Sequence, residues 1–326
     1  MLRFVCLRPA ASANGAERCR TAPAEGMAVR ILVTGTSGLI GSALACFLGA
    51  GRHHVTRLVR AQPRPGRGEV RWDPAAGTLD PMALQGFDAA VHLAGESIAQ
   101  RWTPERKAKI LTSRARGTRL LSESFARLTQ PPRVFVCASA IGYYGNRSDE
   151  ILTEESASGS GFLAEVCREW EAACEPAARK GVRVVNLRLG MVLSSAGGVL
   201  GRMLLPFRLG LGGRIGSGKQ YMSWIALDDL VAAILHALTC DKLRGPVNVV
   251  APHPVTNLEF TQTLGRVLHR PTVFPVPAWA ARLALGEMAD ELLLASARVT
   301  PARLAASGYV FQYPELEGAL RHLLGK

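Results

Sequence analysis

The sequence has few aromatic residues and no closely paired cysteines. Aromatic side chains make up 6% of the 326 residues, too few for a basic face with interleaved aromatics of the kind that binds nucleic acid. The seven cysteines are odd in number, widely spread and never form a Cys-x-x-Cys pair, which disfavours a disulfide framework and a zinc site. We therefore expect no nucleic-acid partner, no metal, and a reducing, cytoplasmic location.

Acidic residues are also scarce relative to basic ones. The chain carries 39 Lys and Arg against 26 Asp and Glu, a formal net charge of +13. Such a surface attracts anions of any kind, so the charge is compatible with an anionic small-molecule substrate without identifying one. The oligomeric state does not follow from the sequence.

One long uncharged segment, residues 31–51, has about the ~20 residues that a membrane span requires. It contains five glycines, however, and its apolar pattern changes partway from a continuous run to helical spacing. This pattern predicts a strand, a turn and a helix, and no membrane contact.

Residues 1–26 lack periodicity and contain four arginines, with no apolar core ahead of a cleavage site. Because Met27 directly precedes the first predicted strand, one interpretation is a start codon assigned too far upstream. The other interpretation is a basic targeting leader. Both place this segment outside the folded domains.

Strand and helix patterns alternate through most of the chain. Continuous apolar runs such as 89–93 and 133–138 are typical of strands buried on both faces of a parallel sheet. Thr103 as a cap and Pro104 in the first turn begin a long helix. This order predicts an α/β fold with a doubly wound parallel sheet and right-handed crossovers. The predicted strands are 29–34, 54–59, 69–72, 89–93, 133–138, 182–189 and 247–250; the predicted helices are 39–48, 103–128, 162–179 and 227–238. In the long helix, the residues expected to face the sheet are Leu111, Ala115, Thr118, Leu121, Phe125 and Leu128.

Past Leu193 the pattern loosens into glycine-rich connections, and the last part of the chain is a proline-containing helical tail. We expect a second, smaller and mostly helical domain that closes over the carboxyl edge of the sheet. The larger domain is predicted to comprise 27–193 plus 226–250, and the smaller one 194–225 plus 251–326.

A glycine-rich turn joins the first predicted strand to the first helix in the order Gly-x-x-Gly-x-x-Gly. The first glycine permits a tight turn, the second lets a pyrophosphate approach the backbone, and the third lets the helix pack on the strand. Free N–H groups at the helix start bind the phosphates. A glycine-rich turn without a ligand is the alternative, but the strand–turn–helix context favours a Rossmann-type dinucleotide site. The predicted contacts are Gly35, Thr36, Ser37, Gly38, Leu39, Ile40 and Gly41.

Several motifs together resemble an extended short-chain dehydrogenase/reductase of the epimerase/dehydratase superfamily. They are TGTSGLIG, HLAG (92–95), GT (117–118), Ser139 after a buried strand, LRLG (187–190) and WIALDDL (224–230). Four further segments are similar to the atypical "epimerase family" subgroup of this superfamily, which has its own C-terminal domain. These segments are AGESIAQRWTPERKAKILTSR, ASAIGYYG, REWEAA and GRMLLPFRLGLGGRIGSGKQ. The resemblance covers 29–324. It implies an NAD(P) cofactor in the glycine turn, with Leu93, Ala94 and Gly95 lining the adenine and ribose side, and an active site between the two domains.

The sequence departs from this superfamily at the catalytic pair. Ordinary members use a Tyr-x-x-x-Lys pair, in which the lysine lowers the pKa of a phenol that transfers a proton. None of the five tyrosines is followed four residues later by a lysine, and the expected counterparts are Phe162 and Val166. Two hypotheses follow: an oxidoreductase or epimerase-like enzyme that uses another acid or base, or a non-catalytic NADP(H)-dependent redox sensor or scaffold.

Several residues are candidates for chemistry at the carboxyl edge of the sheet. Ser139 is predicted to hydrogen-bond a substrate oxygen, and Tyr143 or Tyr144 to supply a phenol, unless all three are structural. Glu96 is a candidate acid/base or ribose ligand, or alternatively an exposed loop carboxylate. Arg114, on the apolar side of the long helix, is a candidate cofactor contact.

The second strand indicates which nicotinamide cofactor is bound. NAD-selective sites place a carboxylate about 20 residues beyond the glycine turn, where it accepts from the ribose 2′-hydroxyl. No acidic residue lies between Glu25 and Glu69, whereas Arg60 ends the predicted strand. A guanidinium there can bind a 2′-phosphate through two parallel hydrogen bonds. The sequence therefore predicts NADP(H), with Arg60 as a cofactor contact.

Overall fold

The computed structural model describes residues 29–326, so the predictions for 1–26 lie outside it. The strands are β1 Arg30–Thr34, β2 His54–Val59, β3 Glu69–Asp73, β4 Thr78–Leu79, β5 Ala89–His92, β6 Val134–Ala140, β7 Ile151–Leu152, β8 Arg183–Leu189, β9 Met191–Leu193, β10 Tyr221–Met222, β11 Trp224–Ala226, β12 Gly245–Val249, β13 Val255–Thr256 and β14 Arg298–Val299. The α-helices are α1 Leu39–Ala50, α2 Pro104–Arg127, α3 Phe162–Ala172, α4 Glu175–Arg179, α5 Gly198–Arg208, α6 Leu227–Thr239, α7 Asn257–Leu268, α8 Ala278–Leu285, α9 Ala302–Ala306 and α10 Leu316–Leu324.

Eight strands form one sheet in the order β12-β8-β6-β5-β1-β2-β3-β4. All neighbours are parallel except β3 and β4. Apolar side chains of α1 and α6 pack on one face and those of α2 and α3 on the other, so the predicted Rossmann-type α/β fold is confirmed. Because the central strands are parallel, β1, β5, β6 and β8 all end at one edge. That edge carries the candidate site.

Two details of the helix predictions were wrong. Thr118, Leu121 and Phe125 of α2 are buried as expected, but Leu111 is only partly buried and Ile110 takes the interior position. That part of α2 packs on Trp102 and α3 beside the sheet rather than on the sheet itself.

The helix predicted over 162–179 is two helices, since α3 ends at Ala172 and α4 restarts at Glu175. Pro176 explains the interruption, because its missing N–H cannot donate to the carbonyl of Ala172 four residues earlier, and its ring crowds that turn.

The C-terminal part of the chain has a core of its own. Leu200, Leu204 and Phe207 of α5 pack with Phe260 of α7 and with α10. Short pairs of strands, β9 with β11, β10 with β13 and β7 with β14, join this part to the segments around it. The helical character agrees with the expectation, while the exact division into domains stays a prediction. No helix within 29–326 is long and apolar enough to cross a membrane.

Candidate functional site

The glycine turn after β1 is held by two close backbone approaches that only glycine permits. Gly35 has φ +73°, and a Cβ there would lie 2.7 Å from the carbonyl carbon of Leu93. A Cβ on Gly41 would meet the carbonyl oxygen of Gly35 and would lie 2.9 Å from the Cα of Thr36. The roles predicted for the first and third glycines, a tight turn and close packing of the helix on it, agree with this geometry.

The start of α1 is arranged to receive an anion. Gly38 is the N-cap residue, no side chain bonds the first N–H groups, and the first turn contains no acidic residue. Ser37 and Gly38 are exposed. The first-turn N–H groups and the positive end of the helix dipole favour phosphate at this position. Leu39, at the start of α1, lies near the start of α5, where a Cβ on Gly198 would be 3.3 Å from Cδ2 of Leu39.

The end of β5 is fixed to the end of β1 by Thr34. Its hydroxyl accepts from the N–H groups of Leu93 and Ala94, both at 3.1 Å, and lies 2.7 Å from Nδ1 of His92. The hydroxyl proton therefore points to Nδ1, which places the imidazole proton on Nε2. Burial, with a smaller contribution from the charge of Arg114, lowers the pKa of His92 to about 3. His92 is thus a neutral interior residue that positions the loop lining the site.

Arg60 follows β2 directly and is exposed. Within the described chain no hydrogen bond or ion pair occupies its guanidinium, whereas Arg64 in the same loop pairs with Glu69 at 2.7 Å. Of Arg60 and Arg64, it is therefore Arg60 whose guanidinium donors are available for a phosphate.

The loop after β5 is anchored from α2. The N–H of Glu96 donates to Oγ of Ser113 at 3.0 Å, and Nη1 of Arg114 donates to the carbonyl of Glu96 at 3.0 Å. The carboxylate of Glu96 pairs with Arg106 at 3.1 Å. Arg114 also lies over the ring of Trp170, and burial lowers its pKa. Glu96 is therefore not a free loop carboxylate, and Arg114 supports the loop; direct contact of either with a cofactor stays a prediction.

Ser139 lies inside β6 and not after it, which corrects the sequence-based placement. The strand continues to Ala140 because Ser139 and Ala140 still pair with Arg188 and Leu189 of β8. Only 2% of Ser139 is exposed, and its Oγ donates to Glu171 of α3 at 2.7 Å. The hydroxyl is thus committed to a protein partner, and its predicted contact with a substrate is not the contact present here.

Glu171 belongs to a buried polar network between α3 and β8. Arg188 donates to both of its carboxylate oxygens at 2.9 Å and to the hydroxyl of Tyr144 at 3.0 Å, and Tyr144 donates to Asn248 at 2.7 Å. Burial works to lower the pKa of Arg188, but the hydrogen bonds and charge of Glu171 outweigh it and raise the pKa above its usual value. Arg188 therefore remains a cation at the carboxyl edge of the sheet.

The two tyrosines after β6 have different environments. Tyr144 is fully buried, and burial raises its pKa. Tyr143 is partly exposed, and Cζ of Arg188 lies 3.4 Å from the centroid of its ring. Of the two tyrosines proposed from the sequence, only Tyr143 is partly exposed. Arg188 and Glu171 were missed as site residues. The available signal was the charge of Arg188 near the end of a buried strand, because a buried charge requires a partner.

The positions expected for the missing catalytic pair hold apolar side chains in the structure. Phe162 packs edge-on against Trp102 with 5.1 Å between ring centroids, and Val166 is buried beside it. The side of α3 that faces β6 carries Cys167, whose thiol donates to the carbonyl of Ala140 at 3.5 Å. Burial and then the charge of Glu171 raise the pKa of Cys167 to about 11, so this residue is a neutral thiol.

Comparisons with known proteins match nearly all of the described chain. A model of the NAD dependent epimerase/dehydratase family matches residues 31–250, and a domain of unknown function, DUF1731, matches residues 276–323. An epimerase family protein of Mycobacterium bovis is 46% identical over 291 residues, covering 89% of this chain and 96% of the relative. The human epimerase family protein SDR39U1 is 38% identical over 300 residues, covering 91% of this chain and 100% of the relative.

Solved structures are similar over the same range. The crystal structure of human SDR39U1 isoform 2 with NADPH has a TM-score of 0.83 at 38% identity and covers 91% of this chain and 99% of its own. A nucleoside-diphosphate sugar epimerase from Corynebacterium glutamicum has a TM-score of 0.77 at 39% identity, covering 92% of this chain and 59% of its own. A UDP-N-acetylglucosamine 4-epimerase from Bacillus cereus, at 16% identity and a TM-score of 0.72, shares the fold.

Proposed function

The chain belongs to the NAD dependent epimerase/dehydratase family, and we propose that it binds NADP(H) and acts as an oxidoreductase or epimerase-like enzyme on a small molecule. The observation that carries the proposal is the glycine turn, where Gly35 and Gly41 allow close backbone packing and no side chain caps the start of α1. The relative solved with NADPH supports this choice of cofactor.

The residues that would hold the cofactor fit its charge. The turn 35–38 and the first N–H groups of α1 would bind the pyrophosphate, and Arg60 would bind a 2′-phosphate. Leu93, Ala94 and Gly95 would line the adenosine, held in place by Thr34 and Arg114. When bound, the nicotinamide accepts or donates a hydride.

The proton transfer that accompanies such chemistry is assigned to Tyr143. Tyr143 is partly exposed, and the guanidinium of Arg188 lies over its ring, 3.4 Å from the centroid. Ser139 has a positioning role in this proposal. It donates to Glu171, Glu171 orients Arg188, and Arg188 lies against the ring of Tyr143. The substrate is a small molecule for which the charge of the chain favours an anion, and the cysteine usage supports a cytoplasmic location.

One observation favours the second candidate function, an NADP(H)-dependent sensor or scaffold without catalysis. Ser139 is buried and its hydroxyl is already donated to Glu171, and an apolar Phe162 takes the place of the usual phenol. In that case the protein would bind the cofactor and respond to its redox state through a partner.

Turnover of NADPH with a panel of carbonyl compounds separates the two candidates. The enzyme proposal predicts NADPH oxidation by the parent, its loss in Tyr143→Phe, and unchanged NADPH affinity in that variant. Tyr221→Phe is the matched control, because Tyr221 also lies against an arginine, Arg298. Equal turnover in Tyr143→Phe and parent would remove Tyr143 from the mechanism. Tight NADPH binding with no NADPH oxidation in the presence of any compound of the panel would favour the sensor.

A further inference from the structure

Residues 286–294, which we call the strap, run from the end of α8 to the segment before β14 and pass the start of α3. Glu291 in the strap reaches that helix. Its Oε1 accepts from the N–H of Phe162 at 2.7 Å and its Oε2 from the N–H of Leu163 at 2.9 Å. A carboxylate distant in sequence therefore satisfies the first two N–H groups of α3, which has no side-chain cap of its own.

The start of α3 is shaped around this carboxylate. Gly161 precedes the helix with φ +104°, and a Cβ there would lie 2.5 Å from Oε1 of Glu291. A side chain at 161 would therefore displace the carboxylate. The positive end of the helix dipole adds to the attraction for a negative charge.

Two further contacts hold the strap near the same place. Glu287 pairs with Nζ of Lys107 at 2.8 Å, and that ammonium lies 4.6 Å from the ring centroid of Phe162. Met288 packs with Trp102 and Phe162 in one apolar cluster. The Glu287 pair is largely exposed, so it contributes little by itself, and Glu291 is the principal polar tether between strap and helix.

The strap is linked to the candidate site through the helix it touches. Leu163, whose N–H is held by Glu291, lies so near the turn that carries Tyr143 that a Cβ on Gly142 would be 3.0 Å from the Cβ of Leu163. The strap has defined ends: Gly286 with φ +63° on one side, and on the other Ser296, which is bonded to Asn146, Arg147 and Ser148. Gln220 also donates to the carbonyl of Leu293 at 3.0 Å, which fixes the far end of the strap. Between Gly286 and that anchor, the strap can move away from α3 only if Glu291 releases the helix.

We propose that the strap is a movable cover of the site and that Glu291 is its latch, closed in this structure and released to admit a small-molecule ligand between the strap and α3. The identity of the ligand rests on the proposed function, but the latch does not, because it can be measured without a substrate.

Hydrogen exchange of the full-length protein, read by mass spectrometry, tests the latch. In Glu291→Ala, we expect amide exchange at least ~10-fold faster than in the parent both at 162–165 and across 286–294, since release frees both partners. Asp290→Asn is the matched control: it removes the same charge one residue away, from a carboxylate that pairs with exposed Arg282, and should leave both segments unchanged. Glu291→Gln keeps one acceptor oxygen and should give an intermediate effect at both segments.

The alternative outcomes are distinct. Faster exchange at 162–163 alone, with 286–294 unchanged, would show that Glu291 is only a helix cap and would overturn the proposal, as would no change at either segment. If Glu291→Ala does not fold, Glu291→Gln gives the same comparison. NADPH affinity, measured on the same proteins, should equal that of the parent. A parent that does not bind NADPH would refute the proposed cofactor without affecting the exchange result.

Discussion

Replacing Gly41 with alanine should weaken cofactor binding about 10- to 100-fold while destabilising the fold only modestly. The new Cβ would overlap the Gly35 carbonyl oxygen and would lie 2.7 Å from its carbon. Ordinary contacts of this kind are about 3.4 Å or more, so the start of α1 must move away from the turn by about 1 Å. Overpacking of this kind costs about 1–3 kcal/mol, while the higher helix propensity of alanine returns about 1 kcal/mol. We expect a net destabilisation of about 0–2 kcal/mol.

The effect on NADPH follows from the same displacement. The first N–H groups of α1 are proposed to donate to the pyrophosphate, and each charge-assisted bond contributes about 1.5 kcal/mol. Losing one or two of them weakens binding by about 10- to 100-fold. Titration of NADPH fluorescence gives the affinity, and urea unfolding gives the stability.

Gly49→Ala is the control on the same helix. Gly49 is exposed, and a Cβ there would meet nothing within 4 Å. This change should raise stability by up to about 1 kcal/mol and leave NADPH affinity unchanged. Equal NADPH affinity in Gly41→Ala, Gly49→Ala and the parent would refute the assignment of the glycine turn as the phosphate site.

Two more predictions concern the interior. Arg188→Met should lower the free energy of unfolding by about 3 kcal/mol, because it leaves the Glu171 carboxylate without its cation. Adding Glu171→Gln to this variant should recover part of the loss. If urea unfolding shows that the two substitutions change the free energy in a strictly additive way, the pairing is contradicted. His92 has a pKa of about 3 when folded against 6.5 as its reference value, so between these pH values only the unfolded state binds the proton and stability falls as pH falls. The parent should lose about 1.6 kcal/mol more than His92→Gln between pH 6.5 and 5. Parallel stability curves would show that His92 is not buried in its neutral form.

The sequence predicts the fold well where local pattern and tertiary structure agree. The continuous apolar runs became the central strands, Thr103 caps α2 as expected by accepting from the N–H of Arg106, and the glycine spacing matched the backbone approaches at Gly35 and Gly41. The family resemblance is confirmed, because it rested on several separate motifs along the chain. These features depend on residues close together in sequence, which is why pattern alone sufficed.

The contacts within the site depend on residues far apart in sequence. Ser139, Glu171 and Arg188 lie on three different elements, and nothing in their spacing shows that they meet. Glu291 caps a helix that begins 129 residues earlier, a relation that only the packed structure reveals. The interruption between α3 and α4 was predictable from Pro176. The prediction of one continuous helix gave more weight to the apolar periodicity around this proline.

The preference for NADPH over NADH tests the account of the site most directly, because it joins the glycine turn to the free guanidinium of Arg60. We predict that calorimetric titration gives NADPH at least ~10-fold tighter binding than NADH, a difference of ~1.4 kcal/mol. Arg60→Ala should remove most of this preference, while Arg64→Ala, whose guanidinium is already paired with Glu69, should keep it. Equal affinities for the two cofactors, or an Arg60→Ala protein that still prefers NADPH, would contradict the account.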